Sequence, residues 1–223
     1  ILKAGKEFGL VQGGARSYST VSPESGWIPS PMPAIFTEKL KGYREWLPTD
    51  GFEANASLGG SFMSENFEDY CQTPWDLGYG RHVKFDHEFI GREALEKLAE
   101  TPHRRKVWLR WNDEDVLKIF ASQLGDGDSF KYMETPNAYY STLPFDSIQA
   151  DGKLVGLSTY TVYTTNVRGW FSLAMVDDNV ADGANVSVVW GEQEGSPRRP
   201  CVEKHIQTEV RATVSYDRLN EDS

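Results

Sequence analysis

Two stretches of this 223-residue sequence collect residue types that could do chemistry. The first holds Phe8-Gly9-Leu10, Gly13-Gly14-Ala15-Arg16, Tyr18, Glu24 and Gly26-Trp27. Glycine lets backbone turn sharply or approach a ligand closely. Arg16 can grip a carboxylate with two parallel N–H bonds. Tyr18 offers a phenolic O–H, and Glu24 offers a carboxylate that accepts from amino or ring N–H groups. Trp27 offers a flat face for stacking. Together they suit a planar heterocycle with polar edges. The plainer alternative is a turn, a surface salt bridge and a core tryptophan. Residue types alone favour that alternative, because such short patterns are unspecific.

The second stretch runs from Thr73-Pro74-Trp75-Asp76-Leu77-Gly78-Tyr79-Gly80-Arg81 to Val83-Lys84-Phe85-Asp86 and Phe89-Ile90-Gly91-Arg92-Glu93-Ala94-Leu95. Alone it reads as turn, strand, turn and helix, with Asp76 and Arg92 free to pair. His82 and His87 have no Cys, Asp or Glu at a recognised ligand spacing, so no metal site is expected. No Gly-x-Ser-x-Gly elbow and no phosphate loop occur.

The elements that must carry these residues follow from periodicity and punctuation. Ile1 to Leu10 reads as the end of a helix with a turn at Gly9. Arg16 to Gly26 is polar and rich in Ser and Thr, and reads as a strand and a loop. The prolines between Trp27 and Pro33 exclude regular helix there. Phe36, Leu40, Tyr43 and Leu47 fall at helical spacing, and Pro48 ends that helix. Thr49 to Asn66 reads as a long loop. Leu77 to Phe85 reads as a strand with close-packed glycines. Ile90, Ala94, Leu95 and Leu98 mark a helix that stops before Pro102.

After Pro102 the pattern becomes strand-like. Val107, Leu109 and Trp111 alternate, and Leu154–Thr165, Gly169–Val176, Val186–Trp190 and Ile206–Tyr216 are further strand candidates. Asp126-Gly127, Asp151-Gly152 and Asp182-Gly183 supply turns between them. The expected architecture is α+β: residues 1–101 form one portion, and 102–223 form a small antiparallel β-barrel or sandwich.

The whole composition narrows the partners. With a net charge of −10 the chain lacks the basic surface that phosphate binding needs, so nucleic acid is not an expected partner. His103–Lys106 and Arg198-Arg199 read as solvated loop or strand-edge charge. Cys71 and Cys201 form no paired motif, which fits a reducing, cytoplasmic setting. No apolar stretch reaches the length of a membrane span. The chain begins Ile-Leu-Lys, so a preceding segment is expected.

Order and spacing add a resemblance. Lys6-Glu7-Phe8-Gly9-Leu10, Gly14-Ala15-Arg16, Glu24-Ser25-Gly26 and Glu88 to Leu95 resemble the aminomethyltransferase family, the T-protein of the glycine cleavage system. Gly156-Leu157-Ser158-Thr159, Phe171 to Val176 and Gly183 are similar to that family's C-terminal barrel. The resemblance covers most of the chain, and its Phe89–Leu95 block is the most specific part. It implies that 1–101 is the C-terminal portion of a folate-binding domain and that 102–223 is the barrel.

The chain departs from a T-protein between Gly14 and Glu24, which is longer, and after Trp27, where an aromatic-rich insertion follows. Tyr18, Glu24 through Pro31 and Tyr43 through Pro48 closely resemble the tetrahydrofolate-dependent aromatic O-demethylases, which act on vanillate, syringate or 3-O-methylgallate. That resemblance implies a catalytic Tyr18, a folate contact at Trp27, tetrahydrofolate as cofactor and a small methoxy-aromatic substrate. Glu24 matches the T-protein glutamate and is carried over as a second cofactor contact. The remaining contacts would lie in an N-terminal half, so the chain alone is expected to be inactive. The competing expectations are aminomethyl or sulfonium chemistry in the same superfamily and a folate-binding accessory protein. Such proteins carry a cysteine signature near Phe89–Glu93, which is absent here.

Overall fold

Alternating apolar residues build the architecture from Arg105 onward. The computed structural model describes residues 1–28, 32–51, 53–138, 140–193 and 202–219. Two short strands, β1 (Leu58–Gly59) and β3 (Leu143–Pro144), pair in parallel outside the main sheet. The main sheet holds β2 (Arg105–Trp111), β4 (Asp146–Ala150), β5 (Lys153–Thr164), β6 (Gly169–Val176), β7 (Asn185–Trp190) and β8 (Thr208–Ser215). They close into an antiparallel barrel in the order β2-β6-β5-β4-β7-β8, with β8 pairing back onto β2 through Trp108↔Ser215. The barrel expected from 102 onward is therefore present.

One side of each strand fills the barrel. Val107, Leu109, Trp111, Ala174, Val176, Val188, Trp190, Val210 and Val214 form this inner core. The other side of β2, β5 and β6 is also covered. There Trp108, Leu157, Phe171, Leu173 and Met175 pack with Ile28, Met32 and Tyr70. That is why β6 is buried at every position instead of at alternate ones. Burying one such large apolar side chain contributes roughly 1.5–3 kcal/mol. This second core fastens the first hundred residues to the barrel.

Five helices accompany the strands among the described residues: α1 (Leu2–Gly5), α2 (Ala15–Ser25), α3 (Lys41–Trp46), α4 (Arg92–Ala99) and α5 (Asp113–Ser122). The helix end at Leu2–Gly5 and the turn at Gly9 (φ 70°) agree with expectation. Helix α4 also agrees, although none of its residues is buried.

Three expectations are corrected. Residues 16–26 form helix α2, not a strand and loop. Its Ser and Thr hydroxyls are satisfied within the helix by bonding back to the preceding turn. Ser19 Oγ donates to Arg16 O at 2.9 Å, and Ser22 Oγ donates to Tyr18 O at 3.0 Å. Residues 77–85 form turns and a short 3₁₀ segment, Gly80–His82, in place of a strand. Gly78 has φ 78°, and the Asp76 carboxylate bonds the backbone N–H of Thr73 and of Arg104, which folds the chain back. Arg92 accordingly pairs with Glu88 and Glu96, not with Asp76. The helix expected over 36–47 is broken at Thr37, whose backbone is extended (ψ 153°). Two 3₁₀ turns precede the six-residue α3.

Candidate functional site

Helix α2 ends in a way that decides where its chemistry points. Gly26 takes φ 79° and donates its N–H to Pro23 O. Trp27 N–H then reaches back to Ser22 O at 3.0 Å. This paired closure is a Schellman motif, and it turns the chain sharply off the helix axis. Only glycine fits, because a Cβ at Gly26 would fall 2.6 Å from Trp108 Cζ2. Pro23, in the last turn, has no N–H to give to the carbonyl of Ser19. The Pro23 carbonyl also accepts from Trp108 Nε1 at 3.0 Å. A strand of the barrel therefore holds the end of the helix.

The result brings two of the expected residues together. The rings of Tyr18 and Trp27 lie 6.3 Å apart at 74°, edge to face. Both are exposed, Tyr18 at 66% and Trp27 at 38%. The Tyr18 hydroxyl makes no hydrogen bond among the described residues, so it is available to a ligand. Glu24 points elsewhere. Both its oxygens lie 3.1 Å from Asn166 Nδ2, in the turn between β5 and β6. Arg16 is exposed on the first turn of α2 with no carboxylate partner among the described residues.

The two stretches singled out in the sequence meet at Lys106 on β2. Its Nζ donates to Gly26 O at 2.6 Å and lies 5.8 Å from the Tyr79 ring centre. The basic run His103–Lys106 is thus not simply solvated. His103 stacks on Trp75 at 4.5 Å, Arg104 pairs with Asp177, and Arg105 lies over the Tyr216 ring. Arg198, Arg199 and Cys201 lie outside the described residues, while Cys71 is a free, exposed thiol. Among the described residues no group of three His, Cys, Asp or Glu side chains could hold a metal. No described helix is long and apolar enough to cross a membrane.

Sequence reasoning missed a buried ionic cluster at one end of the barrel. Lys131 Nζ sits 2.9 Å from Glu192 Oε1, with both side chains nearly enclosed. Glu192 Oε1 also accepts from Gly60 N–H at 3.0 Å. Burial opposes ionisation of Glu192, but His205 and Lys131 more than offset this and hold its carboxyl well below the usual range. His205 Nδ1 lies 2.8 Å from Glu203 O, and its Nε2 accepts from Glu192 N–H at 3.0 Å. Asp146 is fully enclosed and accepts from Ser61 N–H. Burial, only partly offset by Lys131, pushes its carboxyl up to about 6. No local motif announces this cluster, since its members come from β4 and from separate loops around residues 60, 131, 192 and 205.

Asp146 therefore makes stability depend on pH. Its folded-state value lies above the unfolded 3.8, so the native state binds the extra proton. The stabilisation is complete at low pH and is lost as pH rises through about 6. Asp146→Asn is expected to stabilise the protein at pH 8 by up to roughly 3 kcal/mol, at about 1.4 kcal/mol per unit, and to change little at pH 3. Denaturant titrations at the two pH values check this; equal effects at both would contradict it.

No family model matches the chain. It is similar to the syringate O-demethylase of Sphingobium sp. (strain NBRC 103272 / SYK-6), 46% identical over 217 residues, which cover 96% of this chain and 47% of that protein. It is also similar to the sesamin methylene transferase of Sinomonas sp. (strain No.22), 30% identical over 229 residues, covering 96% of this chain and 48% of that protein. The chain spans about half the length of the curated relatives it matches. The resemblance to O-demethylases expected from the motifs is borne out by the first of them.

Proposed function

We propose that this chain, related to those enzymes along nearly its whole length, is the C-terminal portion of a tetrahydrofolate-dependent aromatic O-demethylase. In this reading, residues 1–101 complete a folate-binding domain of the aminomethyltransferase type and 102–223 form its barrel. An N-terminal half supplies the opposite wall of the site. Phe8, Val11, Trp46 and Ile90 are strongly exposed and so are open to being covered by such a half. The free Cys71 thiol supports a reducing, cytoplasmic location.

The observation that carries the reading is the exposed Tyr18–Trp27 pair at the closed end of α2. Its residues fit a folate. The Trp27 ring meets Tyr18 edge to face and remains partly exposed, which leaves surface for a planar pterin. Glu24 spends its two oxygens on one Asn166 N–H₂ group and keeps lone pairs for a pterin N–H. Tetrahydrofolate, when bound, supplies the amine that accepts the methyl group.

An aryl methyl ether resists attack because phenolate is a poor leaving group. In this reading Tyr18 lends its phenolic proton to the ether oxygen as the methyl–oxygen bond breaks, directly or through one water. The released product is then a neutral phenol. Trp27 holds the acceptor in position, and such positioning contributes much of the remaining acceleration.

The test uses the full-length protein with tetrahydrofolate and either syringate or a methylenedioxy arene, the second because of the methylene-transferase relative. Methylated folate and a demethylated phenol are expected from syringate. Turnover of the methylenedioxy compound alone would move the reading to that relative's chemistry. Trp27→Ala is expected to weaken tetrahydrofolate binding roughly tenfold or more, in line with about 1–3 kcal/mol for aromatic stacking on a heterocyclic base. Unaltered folate affinity by fluorescence titration would remove Trp27 from the site. Measurable demethylation by residues 1–223 alone would show that no second wall is needed.

A further inference from the structure

Lys106 is a charged residue that the proposed methyl transfer does not use. Two glycines and two aromatic rings make a slot around its ammonium. A Cβ at Gly78 would fall 3.1 Å from Nζ, and one at Gly26 would fall 3.4 Å from it. Both glycines have positive φ, 78° and 79°. The Tyr79 and Trp108 ring centres lie 5.8 and 5.9 Å from Nζ. An ammonium has three donors. The Gly26 carbonyl takes one of them, at 2.6 Å. Among the described residues no carboxylate comes within ion-pair distance, and the nearby Glu24 is turned to Asn166.

The neighbouring charges have the same sign. Burial, and then Arg218 and Arg81, hold the Lys106 ammonium below its ordinary proton affinity. Arg81 and Arg218 are themselves exposed. A half-buried cation without a counter-charge is costly. Here that cost is concentrated one residue from Trp27, in a chain whose net charge is −10. Packing alone does not call for it, because a methionine would fill the same slot. An arriving anion would offset it.

We propose that Lys106, flanked by Arg81 and Arg218, forms a carboxylate-binding subsite beside Trp27. This rests on the O-demethylase reading and deepens it by naming the part of the ligand held there. Two carboxylates are available in that reaction: the glutamyl tail of the folate and the ring carboxylate of an aromatic acid such as syringate. A carboxylate in the slot would replace solvent around a partly desolvated ammonium, where ion pairing is stronger than at an open surface.

The experiment compares wild-type full-length protein with Lys106→Met and with the exposed double variant Arg81→Gln/Arg218→Gln. The double variant reads the field without disturbing the Gly26 turn. Dissociation constants are measured for tetrahydrofolate triglutamate and for the amide of tetrahydropteroic acid, which has no carboxylate. KM is measured for syringate and for its uncharged amide. If the tail is the ligand, both variants lose roughly tenfold in triglutamate affinity and leave the pteroic amide unchanged. If the ring acid is the ligand, KM rises for syringate and not for the amide. Either result supports the subsite and identifies its occupant. Equal losses for charged and uncharged ligands would make Lys106 a support for the turn and overturn the proposal, as would no change in any constant. Wild-type protein that binds none of these compounds overturns the folate reading itself, and the subsite with it.

Discussion

Tyr18→Phe in the full-length protein is expected to lower kcat for methoxy-aromatic demethylation by roughly 10²- to 10⁴-fold, the usual worth of a positioned general acid. The substitution removes one oxygen and keeps the ring. The edge-to-face contact with Trp27 at 6.3 Å survives, so folate affinity and substrate KM should move little. Stability should also hold, because Tyr18 is 66% exposed and its hydroxyl bonds nothing among the described residues. Surface changes of that kind stay within about 0.5 kcal/mol. A loss confined to kcat would place the hydroxyl at the breaking bond. Unchanged turnover of vanillate-type ethers would end the acid role.

Glu192→Ala is expected to cost roughly 3–5 kcal/mol, the range for breaking a buried ion pair by removing one partner. The Lys131 side chain is only 3% exposed, so its ammonium would be left without a counter-charge in an enclosed site. The Tyr140 and Trp190 rings, 4.6 and 4.9 Å from Nζ, offset part of this. Gly60 N–H would lose its acceptor as well, which loosens the β1–β3 pair against the barrel. Adding Lys131→Met should recover much of the loss, since the uncompensated charge then disappears. Denaturant unfolding of the single and double variants gives the coupling directly. A single-variant loss below about 1 kcal/mol would mean that the pair is solvated.

The barrel was the most legible part of this sequence. Strand β8 alternates plainly, β2 and β7 alternate only in part, and β6 shows the largely apolar run of a strand covered on both sides. Helix α2 was hidden because its Ser and Thr residues ordinarily favour turns and extended backbone. Back-bonds such as Ser22 Oγ to Tyr18 O satisfy these hydroxyls within the helix, and tertiary contacts, Trp108 on Pro23 O and Lys106 on Gly26 O, hold its end. Helix α5 carried a readable signal that went unused. Asn112 caps it by accepting from Asp115 N–H, three acids fill its first turn, and Val116 and Ile119 supply the buried face. In the site, Tyr18 and Trp27 are close in sequence, and motif spacing singled them out. Lys106, from β2, and Asn166, from the turn between β5 and β6, reach the same helix end from far along the chain. Only the closed register of the barrel brings them there, and no local pattern encodes a register.

That register has a consequence for the order of assembly. Strand β2 is hydrogen-bonded on one side to β6 and on the other to β8, which follows it by about a hundred residues. The side chains that seat α2, Lys106 and Trp108, belong to β2. During synthesis β2 emerges before β6 and β8 and waits unpaired until both partners have been made. The aromatic pair beside Gly26 can then take its final place only after the barrel has closed. A slow step in strand closure would appear as a delay in seating α2, which settles only once β8 has been made although it is translated well before that strand.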